Sequence, residues 1–311
     1  MSKIITLHNY DDHQGLIVPS MQMRGKYKIE AVQPDGRKRP LTGWMANLIT
    51  TSGKNQVAAG GYLSVCCVGS GNTTPNTSQT ALTSLVGTSS TIQATSTRTQ
   101  SSPPYYGTLS ITYRFAAGVA TGNLAEVGIG STNTALFSRA LILDSLGSPT
   151  TITVLSAEAL DVTYLLETIP PTSDATGTVV INGVTYSYTI RAALVTTSQW
   201  SNADAGDKAG IYALGFSVYN GAIGAVTSNP TGSAGGATSI TEDSYSVNSY
   251  AQTATAFFGL NNGNVSGGIT AMSIVFGRQI NRLGAFQIGV TPAIPKNGTN
   301  ILTLSVGQSW A

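Results

Sequence analysis

The chain has 311 residues and a formal net charge of +2, and only 10% of its residues are charged. An ordinary soluble domain carries about 25% charged residues, so serine, threonine, asparagine and glycine supply the polarity here. The 41% content of hydrophobic residues excludes a disordered polar chain. A polar but nearly uncharged surface is readily buried against a neighbour because no ion has to be desolvated. The composition therefore fits either a subunit of an assembly or a secreted β protein.

The N-terminal segment holds most of the positive charge. Residues 1–54 contain eight basic and four acidic residues, whereas the remainder contains eight basic and ten acidic ones. We expect an extended arm over residues 1–23 and then a hairpin over residues 27–41 that turns at Pro34-Asp35-Gly36. The basic side chains of this region are either assembly contacts with an acidic neighbour or simply solvated. They are Arg24, Lys26, Lys28, Arg37, Lys38 and Arg39.

The segment after this hairpin predicts one short helix over residues 42–53. Thr42 is a suitable N-cap, and Gly53 is a suitable C-terminal residue. The apolar side chains that would share one helix face are Trp44, Leu48 and Ile49. We expect this face to dock over one opening of a sheet, with Trp44 also available as an assembly contact.

Beyond this segment the hydrophobic period changes to two, which is typical of antiparallel strands with one packed face. Residues 109–115 and 160–166 alternate in this way, and Asp161 falls on the polar face, where solvation suits it. The Asn182-Gly183 pair between alternating apolar residues predicts a tight hairpin. Further strands are predicted at 61–68, 123–129, 136–143, 150–156, 211–219, 253–260, 271–277, 286–290 and 300–306.

These strands predict an all-β fold, an antiparallel β-sandwich of the jelly-roll kind with one short N-terminal helix. Residues 42–170 would form one β-sandwich domain. Residues 171–311 would form a second β-rich region, which either belongs to the same sandwich or is a subdomain of its own. Glycine- and serine-rich stretches at 69–78, 224–240 and 261–268 are expected to be loops.

The sequence lacks the motifs of common cofactor sites. The Gly-Lys pairs at 25–26 and 53–54 are not followed by serine or threonine, so there is no phosphate-binding P-loop. The adjacent Cys66 and Cys67 cannot staple distant segments, and we expect at least one to be a buried strand residue. We expect no cofactor. The start of the chain lacks the apolar core of a signal peptide, and no stretch approaches a membrane-spanning length.

Candidate catalytic and metal-binding groups are sparse. Four metal-ligating residue types cluster in the predicted arm, where a rigid supporting shell is not expected: His8, Asp11, Asp12 and His13. Because both histidines lie there, a Ser-His-Asp site is not expected either. Neighbouring acids leave a glycosidase open; these pairs are Glu158 with Asp161, Asp204 with Asp207, and Glu242 with Asp243. We expect no bound metal and no enzymatic activity.

Several sequence blocks occur in a fixed order between residues 41 and 166. They are TGWMANLITTSG (42–53), VCCVGSGNTTP (65–75) with TAL (80–82), NLAEVGIG (123–130) and LFSRALILDSLGSPTTITVLSAEALDVTY (136–164). With these blocks the chain resembles a group of tailed-bacteriophage virion structural proteins that includes tail, tail-fibre and tail-tip proteins. The resemblance implies a particle component without catalytic residues. In the last block, Arg139 and Asp144 could form an exposed ion pair of little energetic value.

We therefore expect a structural component of a phage virion, in the tail, collar or tail tip, that forms a symmetric trimer or ring. Its partners would be copies of itself and other virion proteins, with no specific nucleic acid and no membrane insertion. Two alternatives stay open. One is a receptor-binding adhesin that contacts the host surface through loops near Tyr219, Tyr245 and Tyr250. The other is a decoration protein on the capsid.

Overall fold

The computed structural model describes residues 3–7, 16–181, 183–201, 211–277 and 283–311. The strands are numbered in chain order. Up to residue 169 they are β1 (Lys3–Leu7), β2 (Leu16–Val32), β3 (Lys38–Pro40), β4 (Met45–Ala46), β5 (Leu48–Ile49), β6 (Val65–Gly69), β7 (Leu85–Ser89), β8 (Ile92–Thr99), β9 (Gly107–Phe115), β10 (Gly122–Leu124), β11 (Glu126–Thr132), β12 (Ala135–Leu141), β13 (Ile152–Val154) and β14 (Ala159–Ile169).

The second half of the chain continues the same pattern. Its strands are β15 (Ala175–Ile181), β16 (Val184–Ala192), β17 (Ile211–Tyr219), β18 (Ala234–Gly236), β19 (Ser239–Glu242), β20 (Ala251–Phe258), β21 (Ile269–Phe276), β22 (Gly284–Ile294) and β23 (Asn300–Trp310). The helical segments are α1 (Thr51–Ala59) and a single 3₁₀ turn (Ser198–Trp200).

The strands form one large sheet and two smaller ones. The large sheet has the order β19-β20-β23-β2-β14-β9-β8, with β1 added beside β23 and with β3 and β4 added beside β2. The smaller sheets have the orders β5-β12-β11-β6-β7 and β15-β16-β22-β21-β17-β18, and β10 pairs separately with β13. In the described residues, only β1 and β2 run parallel to a neighbour, which is β23 in both cases. Strands from both predicted halves of the chain therefore share the large sheet.

Both smaller sheets cover the same face of the large sheet. Above β2, the Tyr27 hydroxyl lies 2.6 Å from the Ser138 hydroxyl of β12. Above β20, the ring of Phe258 meets the ring of Phe216 from β17 edge to face, with 5.8 Å between centroids. One continuous cluster of buried apolar side chains fills the space between the layers. The prediction of an all-β, sandwich-like fold with one short helix is confirmed.

Both predicted hairpins are confirmed. The first joins β2 to β3, with Val32 opposite Lys38 across the turn. The second joins β15 to β16, with Ile181 opposite Val184, and Gly183 has the positive φ of 78° that this turn requires. Asn182 lies outside the described residues. Cys66 and Cys67 are both buried, in agreement with the prediction.

The predicted arm over residues 1–23 needs correction, because residues 16–23 are part of β2. This strand of 17 residues lies between β23 and β14, near the middle of the large sheet. Its buried side chains change phase between Val18 and Met21, where the register with β23 shifts. That irregularity breaks the alternation by which a strand is recognised in a sequence. The metal-ligating types at positions 8–13 lie outside the described residues.

The predicted helix over residues 42–53 is misplaced. The Thr42 hydroxyl oxygen accepts a hydrogen bond from the Ile29 backbone and caps no helix. Residues 45–46 and 48–49 instead pair with β2 and β12, because the edges of these strands lie within reach. The helix begins at Thr51, after Thr50 has capped it by accepting a hydrogen bond from the Gly53 N–H at 2.8 Å. Gly53 lies inside the first turn, where any Cβ atom would collide with the Phe137 backbone.

A buried ion pair joins β11 to β12 inside the five-stranded sheet. Glu126 and Arg139 are 0% and 1% exposed, and the Arg139 Nη2 to Glu126 Oε2 distance is 2.6 Å. The carboxylate also accepts hydrogen bonds from the backbone N–H groups of Gly71, Thr83 and Ser84. Arg139 therefore pairs with Glu126 in the interior, and the suggested exposed pair with Asp144 is wrong. The bonds to the loop before β7 tie this segment to the sheet.

We predict that Glu126→Ala destabilises the protein by about 3–5 kcal/mol, because it leaves the Arg139 guanidinium buried without a counter-charge. Urea unfolding monitored by circular dichroism measures this change. Asp174→Ala is the matched control, since it breaks the half-exposed Asp174–Arg191 pair and should cost about 1 kcal/mol or less. Equal losses in the two variants would contradict the role of the buried pair.

Candidate functional site

The outer face of β2, β14, β9 and β8 gathers a large cluster of charged side chains, to which Lys38 of the neighbouring β3 contributes. We call it the charged face. Antiparallel register places side chains from the four strands in rows, and one row runs Arg24, Glu167, Thr108, Arg98. The face holds six basic and three acidic side chains, which are Arg24, Lys26, Lys28, Lys38, Arg98, Arg114, Glu30, Asp161 and Glu167. It is therefore a positively charged polar surface.

Most of these charges are paired within the face. Asp161 is fully buried, with its two carboxylate oxygens each 2.7 Å from Arg114 and one of them 3.0 Å from Lys38 Nζ. The prediction that Asp161 is a solvated residue of the polar face is therefore wrong. Lys28 pairs with Glu30 at 2.9 Å. Hence the residues predicted as a free basic cluster do not present a uniform positive patch.

The remaining predicted basic residues are divided between paired and unpaired ones. Arg37 pairs with Asp35 in the exposed turn, and Arg39 pairs with Glu158, whose carboxylate also accepts from the Leu155 N–H. Arg24 is exposed and has no acidic partner among the described residues. The structure thus brings Lys26, Lys28 and Lys38 onto the charged face and leaves Arg37 and Arg39 near its end. Their role as assembly contacts stays a prediction.

The carboxyl group of Asp161 binds a proton less readily than a free carboxyl group does, because of this network. Burial by itself raises the pKa of Asp161, but the hydrogen bonds and charges of Arg114 and Lys38 outweigh it and lower the pKa below its usual value. A carboxyl with a lowered folded-state pKa contributes stability above its unfolded pKa, which is about 3.9. That contribution is lost as the pH falls through the folded-state pKa.

We predict that Asp161→Asn destabilises the protein at neutral pH and that the difference from wild type shrinks as the solution is acidified below about pH 4. The neutral amide leaves Arg114 without its counter-charge and leaves Lys38 with Glu30 alone, at 3.6 Å, and acid produces the same neutral state of residue 161 in the wild type. Urea midpoints measured across this pH range test it. A difference that stays constant down to about pH 2 would contradict the assignment.

Trp44 stands at one end of the charged face, in the loop between β3 and β4. Its side chain is 49% exposed, whereas Trp200 and Trp310 are 0% and 2% exposed. Lys26 Nζ lies 5.8 Å from the centre of the Trp44 ring and 3.0 Å from Glu167 Oε1, so the ring is held by a cation that is itself anchored. The exposed indole is therefore presented on a supported surface.

Two hollows meet at Trp44. The smaller has a volume of about 310 Å³ and lies on the charged face, and its wall contains Trp44, Arg98, Tyr106 and Glu167. The larger has a volume of about 860 Å³ and lies between residues 40–46 and the loop 143–152. The smaller hollow combines aromatic rings with charged, amide and hydroxyl groups. Trp44 and Lys26, which also lines this hollow, had been singled out from the sequence; Arg98 and Tyr106 lie in segments without a recognisable pattern.

The three tyrosines predicted near a binding loop do not lie together. Tyr219 is in β17, opposite Ala271. The Tyr245 ring stacks against Trp310 with 6.1 Å between centroids, and its hydroxyl donates to Asn55 of α1 at 2.7 Å. Tyr250 lies nearby, with Lys54 Nζ 5.5 Å from its ring centre. Tyr245 and Tyr250 thus join the C-terminal strand to the helix, and their role in host contact stays a prediction.

The described part of the chain shows no group of three or more histidine, cysteine or acidic side chains placed to hold a metal ion. Of the paired acids, Glu158 and Asp161 are both engaged by arginine, and Asp243 accepts a hydrogen bond from Thr253. Asp204 and Asp207 lie outside the described residues. Among the described helices, none has the length and apolarity to cross a membrane.

No protein-family model, curated protein or solved structure matches this chain. The resemblance of residues 41–166 to phage virion structural proteins therefore stays a prediction.

We predict that acrylamide quenches the fluorescence of this protein almost entirely through Trp44, because the other two indoles are buried. Trp44→Phe should remove most of the quenchable emission. Leu155→Ala, a substitution at another exposed apolar position, should leave the quenching curve unchanged. An unchanged curve for Trp44→Phe would show that the exposed indole has been misassigned.

Proposed function

We propose that this chain is a non-catalytic structural subunit of a tailed-phage particle, in the tail, collar or tail tip, and that it assembles as a symmetric homo-oligomer. It would join the virion in the host cytoplasm and contact other virion proteins there. The resemblance of residues 41–166 supports the type of particle. The main support for assembly is that strand β8 forms an open edge of the large sheet.

β8 is the last strand at one end of the large sheet, and in the described residues no strand pairs with its outer edge. Its sequence is IQATSTRT, and all of its residues except the last are exposed. Natural proteins protect such edges with several charges, proline, pronounced bulges or a covering segment, because an open edge pairs readily with another chain. β8 has one charged residue, Arg98, no proline, and one register irregularity, which lies at its start between Ile92 and Ala94. From Ala94 to Thr99 the edge is regular and lightly charged, as expected where a second chain covers it.

The low charge of the rest of the surface supports the same proposal. Glu126 and Asp161 are neutralised inside the protein by Arg139 and Arg114. Hydroxyl and amide groups therefore provide much of the exposed polarity, and they can be buried with their hydrogen bonds remade across an interface. Symmetric copies of one chain would use such surfaces to close a ring or trimer.

The adhesin is the second candidate, because the half-exposed Trp44 beside a hollow is a feature of a binding surface rather than of a solvated loop. A capsid decoration protein would also pair its open strand β8 with a second chain, but on the surface of the capsid. Immunogold labelling of intact particles distinguishes these locations, and absence of the chain from purified particles by mass spectrometry would contradict all three.

We predict that the purified chain forms a discrete oligomer and that Thr95→Lys with Thr97→Lys converts it largely to monomer. Two added charges on β8 repel each other across a paired edge and disfavour pairing with a second strand. Light scattering after size-exclusion chromatography measures the mass. The control adds the same charge in an exposed loop, as Asn72→Lys with Thr74→Lys, and should stay oligomeric. A monomeric wild type, or equal dissociation of both variants, would contradict assembly through β8.

A further inference from the structure

The residues that line the smaller hollow at Trp44 are of the types that recognise a saccharide. A sugar ring has an apolar face of C–H groups and a rim of hydroxyls, so it is recognised by an exposed aromatic ring next to hydrogen-bonding side chains. Trp44 supplies the exposed ring, and Tyr106 stands in the same wall. An indole left half in water forgoes part of its hydrophobic stabilisation, and covering by a ligand recovers it.

The Trp44 ring already has a supporting contact on the charged face. Lys26 Nζ lies 5.8 Å from the ring centre, and its salt bridge with Glu167 at 3.0 Å holds the cation in place. Glu167 lies on β14 and Lys26 on β2, and these neighbouring strands are paired along residues 22–32 of β2. The hollow is thus built on paired strands of the large sheet, which reduces the ordering that a ligand would have to impose.

The polar groups of the hollow suit a polyol. Thr99, Gln100 and Thr108 line it together with Glu167. Hydroxyl, amide and carboxylate groups can each bond to sugar hydroxyls, which are donors and acceptors at once. A stacked nucleic-acid strand would need a groove of cations along its phosphates. Here Lys26 is already paired with Glu167, so the lining offers one unpaired cation, Arg98, rather than a row of cations along a phosphate chain.

Arg98 supplies the hollow with a guanidinium that could bind an acid group. Its side chain is exposed on the charged face and forms no ion pair within the described residues. Thr108 lies opposite Arg98 across the β8–β9 pair and donates only to its backbone carbonyl, which leaves the guanidinium available. A guanidinium binds a carboxylate through two parallel hydrogen bonds, a geometry that selects this group over a neutral hydroxyl.

We propose that this hollow binds a sugar ring bearing a carboxylate, stacked on Trp44 with its acid group on Arg98. Trp44 also lines the larger hollow of residues 40–46 and 143–152. An oligosaccharide of such rings can therefore extend past Trp44 from the smaller hollow into the larger one. The site does not depend on particle assembly, since every residue that forms it belongs to one chain.

Isothermal titration calorimetry with trigalacturonate tests this site, using maltotriose as the neutral sugar, inorganic phosphate as the bare anion and a short oligothymidylate as the nucleic acid. The wild type should bind trigalacturonate at least about tenfold more tightly than any of the other three. Trp44→Ala should weaken binding of both sugars by about tenfold or more, and Trp44→Phe should retain part of it. Arg98→Ala should weaken only trigalacturonate, to the level of maltotriose.

The matched controls are Leu155→Ala, which removes another exposed apolar side chain, and Arg37→Ala, which removes an exposed guanidinium in the β2–β3 turn. Both should bind trigalacturonate like the wild type. Circular dichroism checks that each variant is folded, as expected for exposed positions. Absence of trigalacturonate binding, equal binding of Trp44→Ala and wild type, or tighter binding of oligothymidylate or phosphate would overturn the proposal. The calorimetry tests saccharide binding alone, and light scattering tests oligomerisation through β8. Either proposal can therefore be contradicted while the other is supported.

Discussion

The pairing of β2 with β14 on one edge and with β23 on the other is the constraint on which the rest of this structure depends. Residues 22–32 of β2 are paired with β14, and residues 16–21 lie beside the last strand of the chain. One strand from the start of the sequence thereby joins the half of the sheet under the five-stranded layer to the half under the six-stranded layer. These pairings are long-range in sequence, so the core closes only when both ends of the chain are in place.

The second constraint is that buried charged side chains must be paired. Only 10% of the residues are charged, yet the side chains of two acids, Glu126 and Asp161, are fully buried. Each carboxylate forms two or more bonds with a guanidinium, Arg139 for Glu126 and Arg114 for Asp161. Charge is thus used to fix strand register and to hold the loop before β7. Outside the charged face, hydroxyl and amide groups provide much of the polarity of the surface. Both proposals draw on this use of charge: β8 is an edge with a single charged residue, and Arg98 has no ion-pair partner within the described part of the chain.

Physical patterns in the sequence predicted a large part of the fold. Strict alternation identified β9 and β14, and the Asn-Gly turn identified the β15–β16 hairpin, because both signals are local. The helix was misplaced because Trp44, Leu48 and Ile49 have helical spacing, while the edges of β2 and β12, which capture residues 45–49, are distant in sequence. β8 was missed because its exposed Ser/Thr run carries no apolar alternation. The N-terminal part of β2 was missed because its register shift interrupts the pattern.

The sequence by itself determined the all-β class, the hairpin turns, the burial of the cysteines and the low surface charge, since these depend on residue type and short-range periodicity. Only the tertiary structure decided which charges meet. Arg139 lies five residues from Asp144 yet binds Glu126 on the neighbouring strand, and Lys26 reaches Glu167 across 141 positions. The smaller hollow at Trp44 likewise combines residues from β2, β8, β9, β14 and two loops. Such sites depend on strand order and register, which are set by packing over the whole chain rather than by any local segment.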